Sequence, residues 1–239
     1  MNPKKLKIIA IIQARMNSSR LPGKVMADIC GKPSLECILE RVQRARSIHQ
    51  IIVATTRDPS DNVVVDLCKT LQVNCFRGDE NDVLGRFWGA AKAVNAEIVV
   101  RLTADCPMID PDVIDEVVSK FLSADYDYVS NTIERTYPDG LDVEVMSIDA
   151  LGKADKQAID PFLREHVTPY ITGKRPDLGA GEFSTGQVKF EVGFSHIRWT
   201  VDTIEDLDRI RKLVSYLPEG YRWLQALSVA TQEPELLGI

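Results

Sequence analysis

No apolar run in this 239-residue chain approaches the ~20 residues needed to cross a bilayer. A helical membrane span is therefore not expected. Positive charge is also in short supply. There are 29 Lys and Arg against 35 Asp and Glu, a formal net charge of -6, which argues against a general nucleic-acid binder. Cysteine is sparse and unpatterned. The five thiols, Cys30, Cys37, Cys68, Cys75 and Cys106, are odd in number and form no C-x-x-C pair. Reduced thiols in the cytosol are the simplest reading. The lysines of the first seven residues precede only a short apolar stretch, Ile8–Ile12. A secretory signal needs a longer one, so the stretch reads as a buried strand and the protein as cytoplasmic. No repeat, low-complexity segment or clear linker divides the chain, and its length suits one domain over 1–239.

What is present is alternation. Ile8–Ile12, Ile51–Ala54, Ile98–Leu102 and Tyr126–Ser130 have strand length, with Asn74–Phe76 weaker. Ser34–Ala45, Asp61–Leu71, Asp82–Val94 and Pro111–Leu122 lie between them with helical periodicity. Asp110 is placed as an N-cap, with Pro111 as the first helical residue. This order predicts right-handed βαβ units: an α/β, three-layer, Rossmann-like fold with a mostly parallel sheet and helices on both faces. Later the pattern changes. Leu141–Met146 alternates as a strand on a mixed part of the sheet, and Asp160–Tyr170 reads as a helix. Lys174–Gly186 reads as a loop or dimer arm, Ile197–Val201 as a strand and Thr203–Val214 as a helix. Thr203 and Asp206 resemble a capping box. The stretch 141–186 is thus expected to be a dimerisation or acceptor-binding insert.

Chemistry concentrates in the segment from Gln13 to Lys24, directly after the first strand. A loop leaving the carboxyl end of a parallel strand opens into the crevice where such folds bind ligands. This loop carries Arg15, Arg20 and Lys24, the hydroxyls of Ser18 and Ser19, and no acid. Backbone N–H groups near Ser18 and Ser19, with three cations, suit phosphate oxygens. The pattern is neither a Walker A loop nor a dinucleotide G-x-G-x-x-G. The bland alternative is a solvated basic loop.

The loop resembles the A-R-x-x-S-x-R-L-P-G-K signature of the sugar-acid cytidylyltransferases, the superfamily that makes CMP-Kdo and CMP-sialic acid. Gly31-Lys32-Pro33-Ser34-Leu35 resembles that family's G-K-P-L segment. Further matches to the spore coat polysaccharide biosynthesis protein F branch run through Gly78–Leu84, Leu102–Pro107, Tyr137–Glu144, Arg164–Tyr170 and Arg198–Asp202. The resemblance extends to about Leu213. It implies a nucleotide-diphospho-sugar transferase-like fold, CTP as the nucleotide, Mg²⁺ as cofactor, a sugar or sugar-acid acceptor and a homodimer.

It also implies roles. Lys24, Arg15 and Arg20 would hold the triphosphate, and Asp105 and Asp202 would bind the metal. Two carboxylates plus phosphate oxygens are what Mg²⁺ prefers. Asp105 could instead cap a turn, and Asp202 could be a charge at a helix start. Ser18, Ser19, Thr55, Arg77 and Thr103 fall on the nucleotide side, Arg77 towards the cytosine carbonyl. Asp142, Glu144, Arg164, His166 and Arg198 are candidates for the acceptor. Asp142 and Glu144 alternate and so share a face. Arg77 could equally be a surface arginine, and His166 could simply pack. Cys106 has no histidine beside it in sequence and reads as inert packing.

The implied reaction is nucleotidyl transfer with release of pyrophosphate. A glycosyltransferase is the first rival, but its usual D-x-D motif is missing from Asp105-Cys106-Pro107. A non-catalytic nucleotide-binding module is the second.

Overall fold

The computed structural model describes residues 6–239. Its main sheet has seven strands. In chain order the strands are β1 (Ile8–Gln13), β2 (Asp28–Ile29), β3 (Lys32–Pro33), β4 (Gln50–Thr56), β5 (Asn74–Gly78), β6 (Ile98–Thr103), β7 (Tyr128–Ser130), β8 (Glu144–Ser147) and β9 (Thr185–Gln187). The sheet order is β5-β4-β1-β6-β8-β7-β9, and β2 pairs only with β3. β8 is antiparallel to both of its neighbours, while every other pairing in the main sheet is parallel. The sheet is mostly parallel, as the alternating pattern predicts.

The near-continuous apolar strands are explained by cover on both sides. Ile8, Ala10 and Ile12 of β1 pack with α1 (Ser34–Val42), α2 (Asn62–Thr70) and α4 (Pro111–Leu122). Ile9 and Ile11 face the other way, towards α3 (Val83–Ala93) and α5 (Ile148–Gln157). Period-two alternation in β1 thus feeds two separate cores. In α4 the stripe Val113, Ile114, Val117, Val118 and Phe121 is buried, and Asp110 caps the start through the N–H of Asp112. The chain continues through α6 (Pro161–His166), α7 (Pro169–Thr172), α8 (Ile204–Ser215) and α9 (Trp223–Ala230). Thr203 and Asp206 form the expected capping box on α8.

Several expectations change. Ile197–Val201 is not a strand; it makes one isolated parallel bridge, Asp139 to Arg198. Its N–H groups go to four different partners: Ile197 N to Phe194 O, Arg198 N to Leu237 O, Trp199 N to Asp139 O, and Val201 N to Asp105 O. A segment whose bonds are divided in this way builds no ladder. The helix expected over Asp160–Tyr170 breaks into α6 and α7 at Val167, whose φ is 69°. Lys174–Gly186 ends in the edge strand β9, parallel to β7. Within the stretch 141–186, β8 lies between β6 and β7 in the sheet. α5 and α9 carry no element in the sequence reading.

Gly140 fixes one junction. Its φ is +111°, and a Cβ there would lie 2.8 Å from the carbonyl carbon of Trp199. Gly140→Ala should therefore cost roughly 2–4 kcal/mol, combining backbone strain with overpacking. Gly179 also has positive φ (+85°) but nothing within 4 Å of the added carbon. Gly179→Ala should cost only about 1–2 kcal/mol. Chemical denaturation of both variants checks the difference; equal losses would contradict the close approach of Gly140 to Trp199.

Candidate active site

Parallel register brings the ends of β1, β4 and β6 to one edge: Gln13 sits opposite Ala54 on one side and Thr103 on the other. The backbone keeps that alignment one step further, with Ala14 N bonded to Ala54 O and Ala104 N to Gln13 O. The basic loop therefore leaves the sheet beside the turn that carries Asp105. The loop is pinned by Asp61, almost fully buried, which accepts bonds from Met16 N (2.7 Å), Thr56 N and Thr56 Oγ1. Met16 O in turn accepts from Ser18 N and Gly23 N, and Gly23 takes φ 77°. Ser18 thus spends its N–H inside the loop, and Ser19 is exposed.

Lys24 turns inward. Its Nζ lies 2.8 Å from Asp202 Oδ1, 2.9 Å from Val201 O and 3.5 Å from Asp105 Oδ2. Arg20 reaches the same Asp202 Oδ1 at 2.8 Å. Two carboxylates separated by nearly a hundred residues converge on one ammonium. Burial works to raise the Asp105 carboxyl, but the Lys24 charge and bonds from Thr103 (2.5 Å) and Cys106 outweigh it and hold it below the usual carboxylate range. Asp105 therefore stays ionised. Cys106 is buried, and burial pushes its thiol up, so it is no nucleophile.

Asp202 is not the helix cap, because Thr203 holds that position. Its second oxygen accepts from Arg198 at 2.7 Å, and Arg198 also bonds Asp206 at 2.7 Å. No group of three or more His, Cys, Asp or Glu able to hold a metal occurs among the described residues. The two hard oxygen donors of Asp105 and Asp202 nevertheless suit a cation such as Mg²⁺ that keeps waters and arrives with phosphate oxygens.

Beyond Thr103 opens a cavity of about 200 Å³ lined by Arg101, Thr103, Thr132, Arg135, Asp142, Glu144 and Lys174. Asp142 and Glu144 both face it, as their alternation predicts. Glu144 is buried and fully engaged by Arg101, Tyr128 OH (2.6 Å) and Thr168 Oγ1 (2.7 Å). Burial works to raise its carboxyl, yet Arg101 and the two hydroxyls hold it down. Asp142 is clasped by both terminal nitrogens of Arg135. Burial pushes its carboxyl up against that pairing. Lys174 is exposed at the mouth and makes no ion pair among the described residues.

Other expected site residues lie elsewhere. Arg77 spends its guanidinium on Thr56 O, Asp58 O and Asn62 Oδ1, bracing the turn into α2. Thr55 is fully buried, with its hydroxyl unpartnered. Arg164 holds Asp82, Asp155 and the carbonyl of Ala158, tying α3 to α5. His166 is exposed and stacks near Phe162, with ring centroids 4.3 Å apart. Neither Arg164 nor His166 lines the 200 Å³ cavity; Thr168, from the same motif, reaches it only indirectly, through its bond to Glu144. Arg15 bonds Glu80 at 3.3 Å on the β5 side of the crevice. The sequence did not single out Arg101, Thr132, Arg135 and Lys174, which also line the cavity. Only Arg101 leaves a signal, as a charge inside an apolar strand. A larger cavity of about 710 Å³ lies between α1 and the α8–α9 connection, with Arg41, Leu217 and Tyr221 in its wall. None of the converging charges lines it, so volume alone misplaces the chemistry.

The family model for Cytidylyltransferase matches residues 9–231. Spore coat polysaccharide biosynthesis protein SpsF of Bacillus subtilis is 32% identical over 86% of this chain and 85% of its own. A 3-deoxy-manno-octulosonate cytidylyltransferase of Geobacter sulfurreducens is 30% identical over 77% of this chain and 72% of its own. A solved cytidylyltransferase from Leptospira borgpetersenii superposes with a TM-score of 0.91, at 32% identity, covering 98% of this chain and 97% of that one.

Asp206 offers a pH test of the site's frame. Burial works to raise its carboxyl, but Arg198 and the N–H groups of Asp202 and Thr203 bring it from 3.8 down to about 2. A folded value below the unfolded one adds stability above the unfolded value and loses it as pH falls through the folded one. Asp206→Asn should therefore melt below wild type at pH 7, with the gap closing between about pH 4 and pH 2. A gap that stays constant over that window would show that the charge of Asp206 is not what stabilises this corner.

Proposed function

The chain belongs to the cytidylyltransferase family, and on that premise we propose that it transfers the cytidylyl group of CTP to a hydroxyl of a sugar or sugar acid, releasing pyrophosphate. One observation carries the reading: the Lys24 ammonium lies between Asp105 and Asp202 at the ligand-binding edge of the sheet.

An acceptor oxygen bonds to the α-phosphorus as the bond from that phosphorus to the β-phosphate oxygen breaks. The protein's share is positioning and charge neutralisation, as in phosphoryl transfer generally. Arg15, Arg20 and Lys24 neutralise the triphosphate. Lys24, largely buried and held by the Val201 carbonyl, is preorganised where charge develops. Asp105 and Asp202 would hold Mg²⁺, which when bound screens the phosphates and acidifies the attacking hydroxyl. The 200 Å³ cavity beside Thr103 would take the acceptor, with Asp142 and Arg135 meeting its hydroxyls. The described helices include none long and apolar enough to cross a membrane, which agrees with a substrate met in water. No covalent enzyme intermediate is required. The family resemblance also supports a homodimer.

A pyrophosphate-release screen of the four ribonucleoside triphosphates against an acceptor panel that includes 3-deoxy-manno-octulosonate tests the function. Release is expected with CTP and Mg²⁺ only. Equal release with all four would leave phosphate binding intact and remove the cytidine assignment. Lys24→Ala should lower turnover by roughly 10²–10³ in a folded protein, the usual loss for one preorganised charge. Asp202→Asn should stay folded and need more Mg²⁺; an unchanged Mg²⁺ requirement would leave Asp105 as the sole carboxylate at the metal.

A further inference from the structure

The two sites are joined by a chain of shared ion pairs. In the acceptor cavity Arg135 clasps Asp142, and its Nη1 also lies 3.3 Å from Asp139 Oδ1. Asp139 Oδ2 is 3.9 Å from Arg198 Nε. Arg198 Nη2 holds Asp202 Oδ2 at 2.7 Å, and Asp202 Oδ1 meets Lys24. Asp139 touches neither the phosphate loop nor Asp105. It stands between two arginines, one facing each site.

The backbone keeps this junction rigid. Asp139 N bonds Ile197 O at 2.9 Å, Trp199 N bonds Asp139 O at 2.7 Å, and a Cβ on Gly140 would lie 2.8 Å from the Trp199 carbonyl carbon. Asp139 and Arg198 are therefore held in register by main chain and cannot drift apart when their side chains exchange partners. Val201 N, bonded to Asp105 O, carries the same segment to the turn of Asp105.

Each arginine has more than one claim on it. Arg135 is shared by Asp142 and Asp139. Arg198 is shared by Asp139, Asp202 and Asp206. We propose that Asp139 is a positioning residue that couples the acceptor cavity to Asp202. An acceptor group that draws Arg135 away leaves Asp139 free to hold Arg198, and Arg198 then releases Asp202 to the metal. The sign is fixed: acceptor binding strengthens metal–nucleotide binding, and linkage makes the effect reciprocal. The inference rests on the assignment of Asp202 as a metal ligand.

The test needs no acceptor and no turnover. The half-saturating Mg²⁺ concentration for CTP binding is measured by calorimetry in wild type, Arg135→Gln and Asp139→Asn. Arg135→Gln mimics removal of Arg135 by an acceptor and should lower it; Asp139→Asn should raise it, each by about threefold, the scale of half-exposed pairs. A plain through-space field would give the same two signs, so both substitutions are repeated in an Arg198→Lys background. That background keeps the charge but cannot reach Asp139, Asp202 and Asp206 together. Both effects should then vanish, in proteins whose melting confirms that they are folded. Effects of undiminished size in the Arg198→Lys background would overturn the coupling, as would shifts of the same sign. A second discriminator is salt: a distant field fades at about 0.5 M KCl, where the Debye length is only a few ångströms, while contact pairs retain more of their effect. Loss of both shifts in salt would also count against the relay. Wild type that binds CTP without any Mg²⁺ dependence would sink the metal assignment itself, a result distinct from failure of the coupling.

Discussion

One ammonium holds three chain segments together. Lys24 arrives from the loop after β1, Asp105 from the turn after β6, and Asp202 from the segment that enters α8. Two carboxylates brought together would repel if nothing offset their charge. Lys24, Arg20 and Arg198 supply the opposing charge. Parallel pairing of β1 with β6 aligns the first two, and the single bond from Val201 N to Asp105 O aligns the third.

The same economy explains the second half of the chain. β8 reverses direction inside the sheet, and so presents Asp142 and Glu144 beside Thr103 rather than at the far edge. Glu144 would be costly to bury alone. Arg101 and two hydroxyls offset that cost, and the positive φ of Val167 sets Thr168 where it can be one of them. The cavity wall is thus a densely paired polar network, although Arg101 Nε is buried without a partner.

The parallel half of this arrangement was legible in the sequence. Apolar runs such as Ile8–Ile12 and Ile98–Leu102 can only be strands buried on two faces, and a basic loop directly after one of them marks the crevice. The caps at Asp110 and Thr203 followed from residue type alone. The irregular half was not legible. Ile197–Val201 has the composition of a strand, but its backbone bonds are shared among Asp139, Leu237 and Asp105, which no local pattern encodes. Arg77 and Arg164 look like ligand-binding cations in sequence. Whether a guanidinium is free depends on distant partners, and theirs are already filled by Thr56, Asp58 and Asn62 in one case and by Asp82 and Asp155 in the other. Arg135 and Lys174 sit in irregular chain and carry no periodic signal.

If Asp105, Asp202 and Lys24 form one reaction centre with the nucleotide, metal and triphosphate must meet at them. A crystal structure with CTP and Mn²⁺, using the anomalous signal of the metal, tests it most directly. A metal peak bonded to the carboxylates of Asp105 and Asp202 is expected, with the triphosphate lying over Lys24 and Arg15. A metal peak bonded to neither carboxylate, or a triphosphate seated in the 710 Å³ cavity beside Tyr221, would contradict it.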